Sequence, residues 1–314
     1  MQRIFDFEEK HSDLAVKIAE LKDLANKLQI NLDGEIEHLE KKMIQVKMDK
    51  YQNLTPWEKV LLNRQLQRPG STDYIEYIFT DWLEFHGDRR YGDDKAIVGG
   101  IARLNDVPVT VVGHRKGKST KENIEYNFGM PHPEGFRKVE RLVLQAQKFK
   151  RPVITFIDTS GAYPGVGAEE RGQAWAIAEL LMTMSSLKVP IISIIIGEGG
   201  SGGALALGVS DRLIMLSNAV FSVASPEASA SILWKRLDAV EEMAAALKIT
   251  AQDLWARGFI DEIIAEPTDT KDMLPSLGEK IKAQLIKHLP DLQLLSAGEL
   301  VKRRMTKLRE MGTY

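Results

Sequence analysis

Five of the seven residues from Gly197 to Gly203 are glycine, in the run Gly-Glu-Gly-Gly-Ser-Gly-Gly. Glycine lets a backbone or a ligand approach closely, because no Cβ stands in the way. Ahead of the run, Ile191 to Ile196 is β-branched except at Ser193, the composition of a strand buried on both faces of a parallel sheet. Behind it, Ala204 to Val209 is apolar all round and too short for a surface helix, so it reads as a buried one. The first amides of such a helix have no internal partner and carry its positive dipole end. Strand, glycine loop and buried helix start together make a desolvated anion hole. The same glycines would also serve if their only task were tight packing of helix against strand.

Three familiar motifs overlap here. Gly197-Glu-Gly-Gly-Ser-Gly202 fits the dinucleotide fingerprint, but the stretch Leu216 to Ser222 lacks the acidic residue that should hold a ribose roughly 20 positions on. Gly199-Gly-Ser-Gly-Gly203 fits a nucleophile elbow, yet the one histidine after Ser201 is His288, in a Lys-rich segment beyond the apparent core. Gly113-His-Arg-Lys-Gly-Lys-Ser119 is one residue short of a P-loop. The amide hole survives these tests, with no side-chain nucleophile demanded.

A chain of 314 residues can bury a sizeable core. A net charge of −2 argues against nucleic acid as a main partner. With no cysteine, this chain has no disulfide and no thiolate zinc site, and we expect no metal in it. The start, MQRIFDFEEK, is unlike a secretory or transit peptide, and no apolar run approaches the roughly 18 residues of a membrane span. A cytoplasmic protein without membrane partners is expected.

These loops need elements to position them. Leu14, Ile18, Leu21, Ala25 and Leu28, then Ile36, Leu39, Met43 and Val46, follow a helical seam on each side of a break at Asn31 to Gly34, which predicts an antiparallel helical pair over residues 1–54. Thr55-Pro-Trp-Glu58 starts another helix, with Thr as N-cap and Pro at the first position. Ser71 to Phe85 reads as a further amphipathic helix. The polar loop of His86 to Arg90 with Asp93 and Asp94 is a weak metal candidate and reads better as a solvated or interface loop. A hairpin turns at Asn105-Asp106 and leads into the basic cluster His114 to Lys121, either a surface loop or an anion site.

Val153 to Ile157 is a second buried strand, followed by Gly161-Ala-Tyr-Pro-Gly-Val-Gly167 and a long helix from Ala168. Parallel strands joined by right-handed crossovers put both glycine loops at one carboxyl edge, where two sets of amides can face one small volume. A core over residues 55–270 and a helical tail over 271–314 complete the division. In the tail, Arg303, Arg304, Lys307 and Arg309 read as a solvated face.

Lys116-Gly-Lys-Ser-Thr-Lys-Glu122, Asn127-Phe-Gly-Met-Pro131, the run Phe156 to Gly172, Ile196 to Leu205, Ser225-Pro-Glu227 and Ser231-Ile-Leu-Trp-Lys235 together resemble the carboxyltransferase α subunits of bacterial acetyl-coenzyme A carboxylases. The resemblance covers most of the chain. It implies an α/β, crotonase-like spiral of ββα units with an N-terminal helical extension. It implies an α2β2 heterotetramer with a β subunit that bears the zinc and most of the coenzyme A site. Carboxybiotin on a biotin carboxyl carrier protein, charged by biotin carboxylase within the larger complex, would give its carboxyl group to acetyl-CoA, forming malonyl-CoA for fatty acid biosynthesis.

Carboxyl departure leaves negative charge on the biotin ureido oxygen, and preorganised amides are each worth roughly 3 kcal/mol there. By resemblance, Gly202 and Gly203 are the principal donors, with Gly161 and Ala162 as a second pair. Gly199, Gly200, Ser201, Tyr163 and Arg171 are the expected substrate-binding residues. Single-chain relatives use an arginine on the glycine loop to steer a carboxylate; here that loop carries only Glu198 and Ser201, so Arg171 is either its substitute or an ordinary helix-surface arginine. Two other readings stay open. One is a stand-alone crotonase-like acyl-CoA hydratase, isomerase or hydrolase using Glu198 or Glu170; the other is a scaffold subunit whose glycines only pack.

Overall fold

The computed structural model of the chain describes residues 16, 18–25, 27–28, 30–267 and 273–312. Eight strands form one sheet: β1 (Thr80–Glu84), β2 (Ile97–Leu104), β3 (Val107–His114), β4 (Val153–Thr159), β5 (Ile191–Gly200), β6 (Arg212–Leu216), β7 (Val220–Ser222) and β8 (Glu262–Ile264). The order is β1-β2-β3-β4-β5-β6-β8, with β7 paired beside the end of β5. The first two pairings are antiparallel and all others parallel.

Helices precede and cover the sheet: α1 (Asp33–Gln52), α2 (Pro56–Asn63), α3 (Ser71–Ile78), α4 (Thr120–Glu125), α5 (Pro133–Lys148), α6 (Val166–Glu170), α7 (Gln173–Ser186), α8 (Ser201–Gly208), α9 (Pro226–Ser229), α10 (Val240–Ala246), α11 (Ala251–Ala256), α12 (Met273–Gln293) and α13 (Ala297–Glu310). None among the described residues is long and apolar enough to cross a membrane.

Every residue of β4 and β5 is buried, as expected for central parallel strands with helices on both faces. The hairpin turns where the sequence places it, with Leu104 opposite Val107 and Asn105 at φ +52. Thr55 caps α2 through a full capping box with Glu58. In the N-terminal pair, Ile18 and Ile36 are buried and Lys22 bridges to Glu40 at 2.7 Å, while Leu24 and Leu28 stay exposed. Leu14, the side chains of Met43 and Val46, and the boundary at 270/271 fall outside the described residues.

Four expectations need correction. The helix expected over Ser71 to Phe85 stops at Ile78, and Thr80–Glu84 instead pairs with β2 as the edge strand β1. The strand expected to end at Ile196 runs on to Gly200, because Glu198–Gly200 pairs with Val220–Ser222. Helix α8 therefore begins at Ser201, and it is not buried all round, since Leu205 is exposed. In the tail, Arg304 is no part of a solvated face. It is 1% exposed and bound to Asp211, and α12 adds Leu277, Ile281 and Leu285 to the main core.

Candidate active site

Both glycine segments meet at the carboxyl edge, where Thr159 of β4 lies opposite Gly199 of β5. Contact there is backbone to backbone. A Cβ on Gly200 would lie 2.1 Å from the Ser160 carbonyl oxygen, and one on Gly203 would lie 2.8 Å from the Ala162 nitrogen. A Cβ on Gly199 would lie 2.8 Å from the Phe221 ring. At these three positions the missing side chain admits another part of the chain, which is the packing reading. Gly202 differs, since a Cβ there meets only Ile177, at 3.6 Å.

Close approach of the two segments assembles one wall of a cleft of about 730 Å³, to which Gly161, Ala162 and Ser201 contribute. Ser201 joins strand to helix at φ +53, and no side chain caps the start of α8. The first amides of that helix therefore have no side-chain partner; of its opening residues Ser201 lines the cleft, and Gly202 and Gly203, the expected principal donors, do not. The Ala162 N–H also has no acceptor among the described residues. The Gly161 N–H does have one, because it donates to Thr159 Oγ1 at 3.1 Å. Of the two donors expected on this segment, Ala162 is the one left open.

The remaining candidates lie elsewhere. Tyr163 stacks on His132 with ring centroids 4.2 Å apart. Arg171 makes two hydrogen bonds to Glu134, at 2.8 and 3.0 Å, and lies over the Tyr91 ring at 4.6 Å. Neither lines the cleft. The cleft's arginines are Arg64 and Arg68, which the sequence did not single out. Arg64 binds Glu198 at 2.8 and 3.2 Å and Glu227 at 2.5 Å. Burial opposes its charge, but these carboxylates outweigh burial and hold its pKa above the usual arginine value. Burial likewise raises the Glu227 pKa, yet Arg64 outweighs it and the net shift is downward. Arg68 pairs with Glu266 at 2.9 Å.

The basic cluster divides. Lys116, Gly117 and Lys118 line the cleft, with Lys116 on Asp158 at 2.6 Å and Lys118 on Asp73. His114 is not a surface residue. It ends β3 fully buried, and its Nδ1 accepts the Asp158 N–H at 3.4 Å. Burial, then the Lys116 charge, push its pKa down to about 3, against smaller opposing effects of the Gly203 and Phe156 backbone. The His86 loop folds on itself, since Asp88 Oδ1 accepts the N–H groups of Arg90, Tyr91 and Gly92. Among the described residues no group of three or more His, Cys, Asp or Glu side chains could hold a metal ion.

Comparison with known proteins gives this geometry a context. Residues 4–312 match the family described as acetyl co-enzyme A carboxylase carboxyltransferase-like. The chain is 57% identical to the acetyl-coenzyme A carboxylase carboxyl transferase subunit alpha of Syntrophomonas wolfei, over 100% of this chain and 99% of that one. The protein of the same name from Alkaliphilus oremlandii is 51% identical over 100% of both chains. The chain belongs to this carboxyltransferase α-subunit family.

Solved structures share the fold. The transcarboxylase 12S core, solved with methylmalonyl-coenzyme A and methylmalonic acid bound, has a TM-score of 0.56 at 24% identity, over 70% of this chain and 42% of that one. A Pseudomonas malonate decarboxylase hetero-tetramer in complex with coenzyme A gives 0.59 at 17% identity, over 78% and 98%. The crotonase-like α/β architecture expected from the sequence is thus the observed one. In this family member, the cleft offers amide donors at one wall and paired ions around them. That arrangement can stabilise a developing oxyanion without a side-chain base.

Proposed function

We propose that the chain forms one half of a carboxyltransferase site. Carboxybiotin, borne by a biotin carboxyl carrier protein, supplies an activated carboxyl group that passes to the methyl carbon of acetyl-CoA, whose displaced proton the biotin left behind takes up, giving malonyl-CoA for fatty acid biosynthesis. The uncapped start of α8 beside the open Ala162 N–H carries this reading. These amides would hold the ureido oxygen as it gains charge, and the close packing of Gly203 on Gly161 and Ala162 would keep them aimed at one point. A β subunit in an α2β2 assembly would bring the zinc and most of the coenzyme A contacts, and biotin carboxylase would recharge the carrier. The reading carries the cytoplasmic setting expected from the sequence. Glu198 is a poor general acid or base for a stand-alone hydratase or hydrolase, because Arg64 holds both its oxygens.

Mixing separately purified α and β subunits tests this. Malonyl-CoA should form from carboxylated carrier and acetyl-CoA only when both are present. Comparable turnover by the isolated chain, or none by the mixture, would defeat the proposal.

A further inference from the structure

The pairing of β4 with β5 is irregular at the cleft. Ile157 lies opposite Ile195, but Thr159 lies opposite Gly199, so β5 advances four residues while β4 advances two. At these extra residues the Glu198 N–H turns to a side chain of β4, and Asp158 Oδ1 accepts it at 2.9 Å. Gly197 makes room for this, since a Cβ there would lie 2.3 Å from the same oxygen. Asp158 is 8% exposed, and Lys116 Nζ donates to it at 2.6 Å. Lys116 is itself fixed beneath Gly129, where a Cβ would come within 2.9 Å of Lys116 Cγ.

We propose that Asp158 and Lys116 are positioning residues for the carboxyl-transfer step, a charge-neutral clamp that fixes the end of β5 against β4 and shields the anion hole from the Asp158 carboxylate. The proposal deepens the carboxyltransferase reading and rests on it. Asp158, Ala162 and Ser201 line one cleft, so an uncompensated carboxylate there would oppose the negative charge that the amides are placed to stabilise. Among the described residues, the two other basic side chains beside Asp158 are not free to cancel it. His114, which accepts the Asp158 N–H, is buried and uncharged. Arg68 also faces Asp158 but is committed to Glu266. The hydrogen-bond task of Asp158 needs only a side-chain oxygen, whereas its charge demands Lys116. Those two tasks separate by substitution.

The test uses the complex of this chain with its β subunit, assayed for malonyl-CoA from carboxylated carrier and acetyl-CoA. Lys116→Met should lower kcat at least about fivefold while the KM for acetyl-CoA stays within about threefold. The double variant Lys116→Met/Asp158→Asn keeps an oxygen for the Glu198 N–H and removes the charge, and should regain at least about threefold in kcat over Lys116→Met alone. A merely structural ion pair would be rescued in melting temperature and not in kcat per assembled complex. A smaller initial loss, or a smaller recovery, overturns the clamp. Thermal melting and co-elution with the β subunit verify each variant, with Lys116→Gln replacing Lys116→Met if the latter does not assemble. A wild-type complex that makes no malonyl-CoA would instead remove the function itself.

Discussion

At the amino end of β5, the Ile191 N–H donates to Asp211 Oδ2 at 2.8 Å, and Arg304 grips the same carboxylate at 2.8 and 2.9 Å. At the carboxyl end, the Glu198 N–H donates to Asp158 Oδ1 and Lys116 grips that carboxylate. Strand N–H, aspartate and cation recur at both ends, yet the two differ in what remains to be satisfied. Arg304 also donates to the carbonyls of Met184, Leu187 and Val189, so each guanidinium N–H has an acceptor and α13 seals the site. The cleft end stops short of saturation, because the start of α8 lacks a side-chain cap and the Ala162 N–H has no acceptor among the described residues. Unsatisfied donors at the cleft end can still bind an anion, which is the role proposed for it, whereas the sealed end has none to offer.

The largest effect should come from the sealed end. Replacing Arg304 by Met strands the buried Asp211 carboxylate and three carbonyls, and should cost about 3–5 kcal/mol of stability. Whatever complex still folds should turn over normally. Denaturant titration measures the first point and kcat per folded complex the second; a loss below about 1 kcal/mol would erase the contrast between the ends.

Gly203→Ala probes the open end. Its Cβ would press on Gly161 and Ala162 and part the two segments. We expect a stability loss of about 1–3 kcal/mol from overpacking and a drop in kcat on the order of 10²-fold as the amides lose their common target. Steady-state kinetics on the assembled complex decides it, and retained activity would mean that alignment of these segments is irrelevant.

Acid should also act on the open end. His114 has a pKa of about 3 in the folded chain, against 6.5 when unperturbed, so the unfolded chain takes up the extra proton. Its contribution is fully present above pH 6.5 and declines as pH falls towards 3, by about 2 kcal/mol at pH 5. Unfolding measured at pH 7.5 and pH 5 should show a shallower acid loss in His114→Asn, by about one proton. Equal slopes in both proteins would place His114 outside the acid response. The cluster of Arg304 and Asp211 contains no histidine to respond in this window.

Local pattern made much of this legible. Buried strands, the capping box at Thr55 and the meeting of two glycine segments follow from composition and from the handedness of crossovers. What escaped depends on partners far along the chain. Arg304 reads as a surface charge because Asp211 is 93 residues away, and Arg64 reaches Glu198 across 134. The edge strand β1 carries a five-residue segment, Thr-Asp-Trp-Leu-Glu, whose state is decided by pairing with β2 and not by its own periodicity. Glycine is the subtlest case, since a sequence cannot show whether the missing Cβ admits a ligand or another backbone.

Gly202 separates those two meanings with the smallest perturbation. Next to it, Gly203 is closed off by Gly161 and Ala162, whereas a Cβ on Gly202 would touch only the Ile177 side chain at an ordinary 3.6 Å. Ala has a higher helix propensity than Gly, by up to about 1 kcal/mol. Gly202→Ala should therefore leave stability unchanged or slightly raised, and its amide stays in place, so kcat should remain within about threefold of wild type. Melting curves and kinetics on Gly202→Ala and Gly203→Ala, run side by side, set the two neighbours apart. Equal damage from both would show that the start of α8 tolerates no side chain for a reason other than its contact with the companion segment, and the account of the open end would have to be rebuilt around the space beside Gly202.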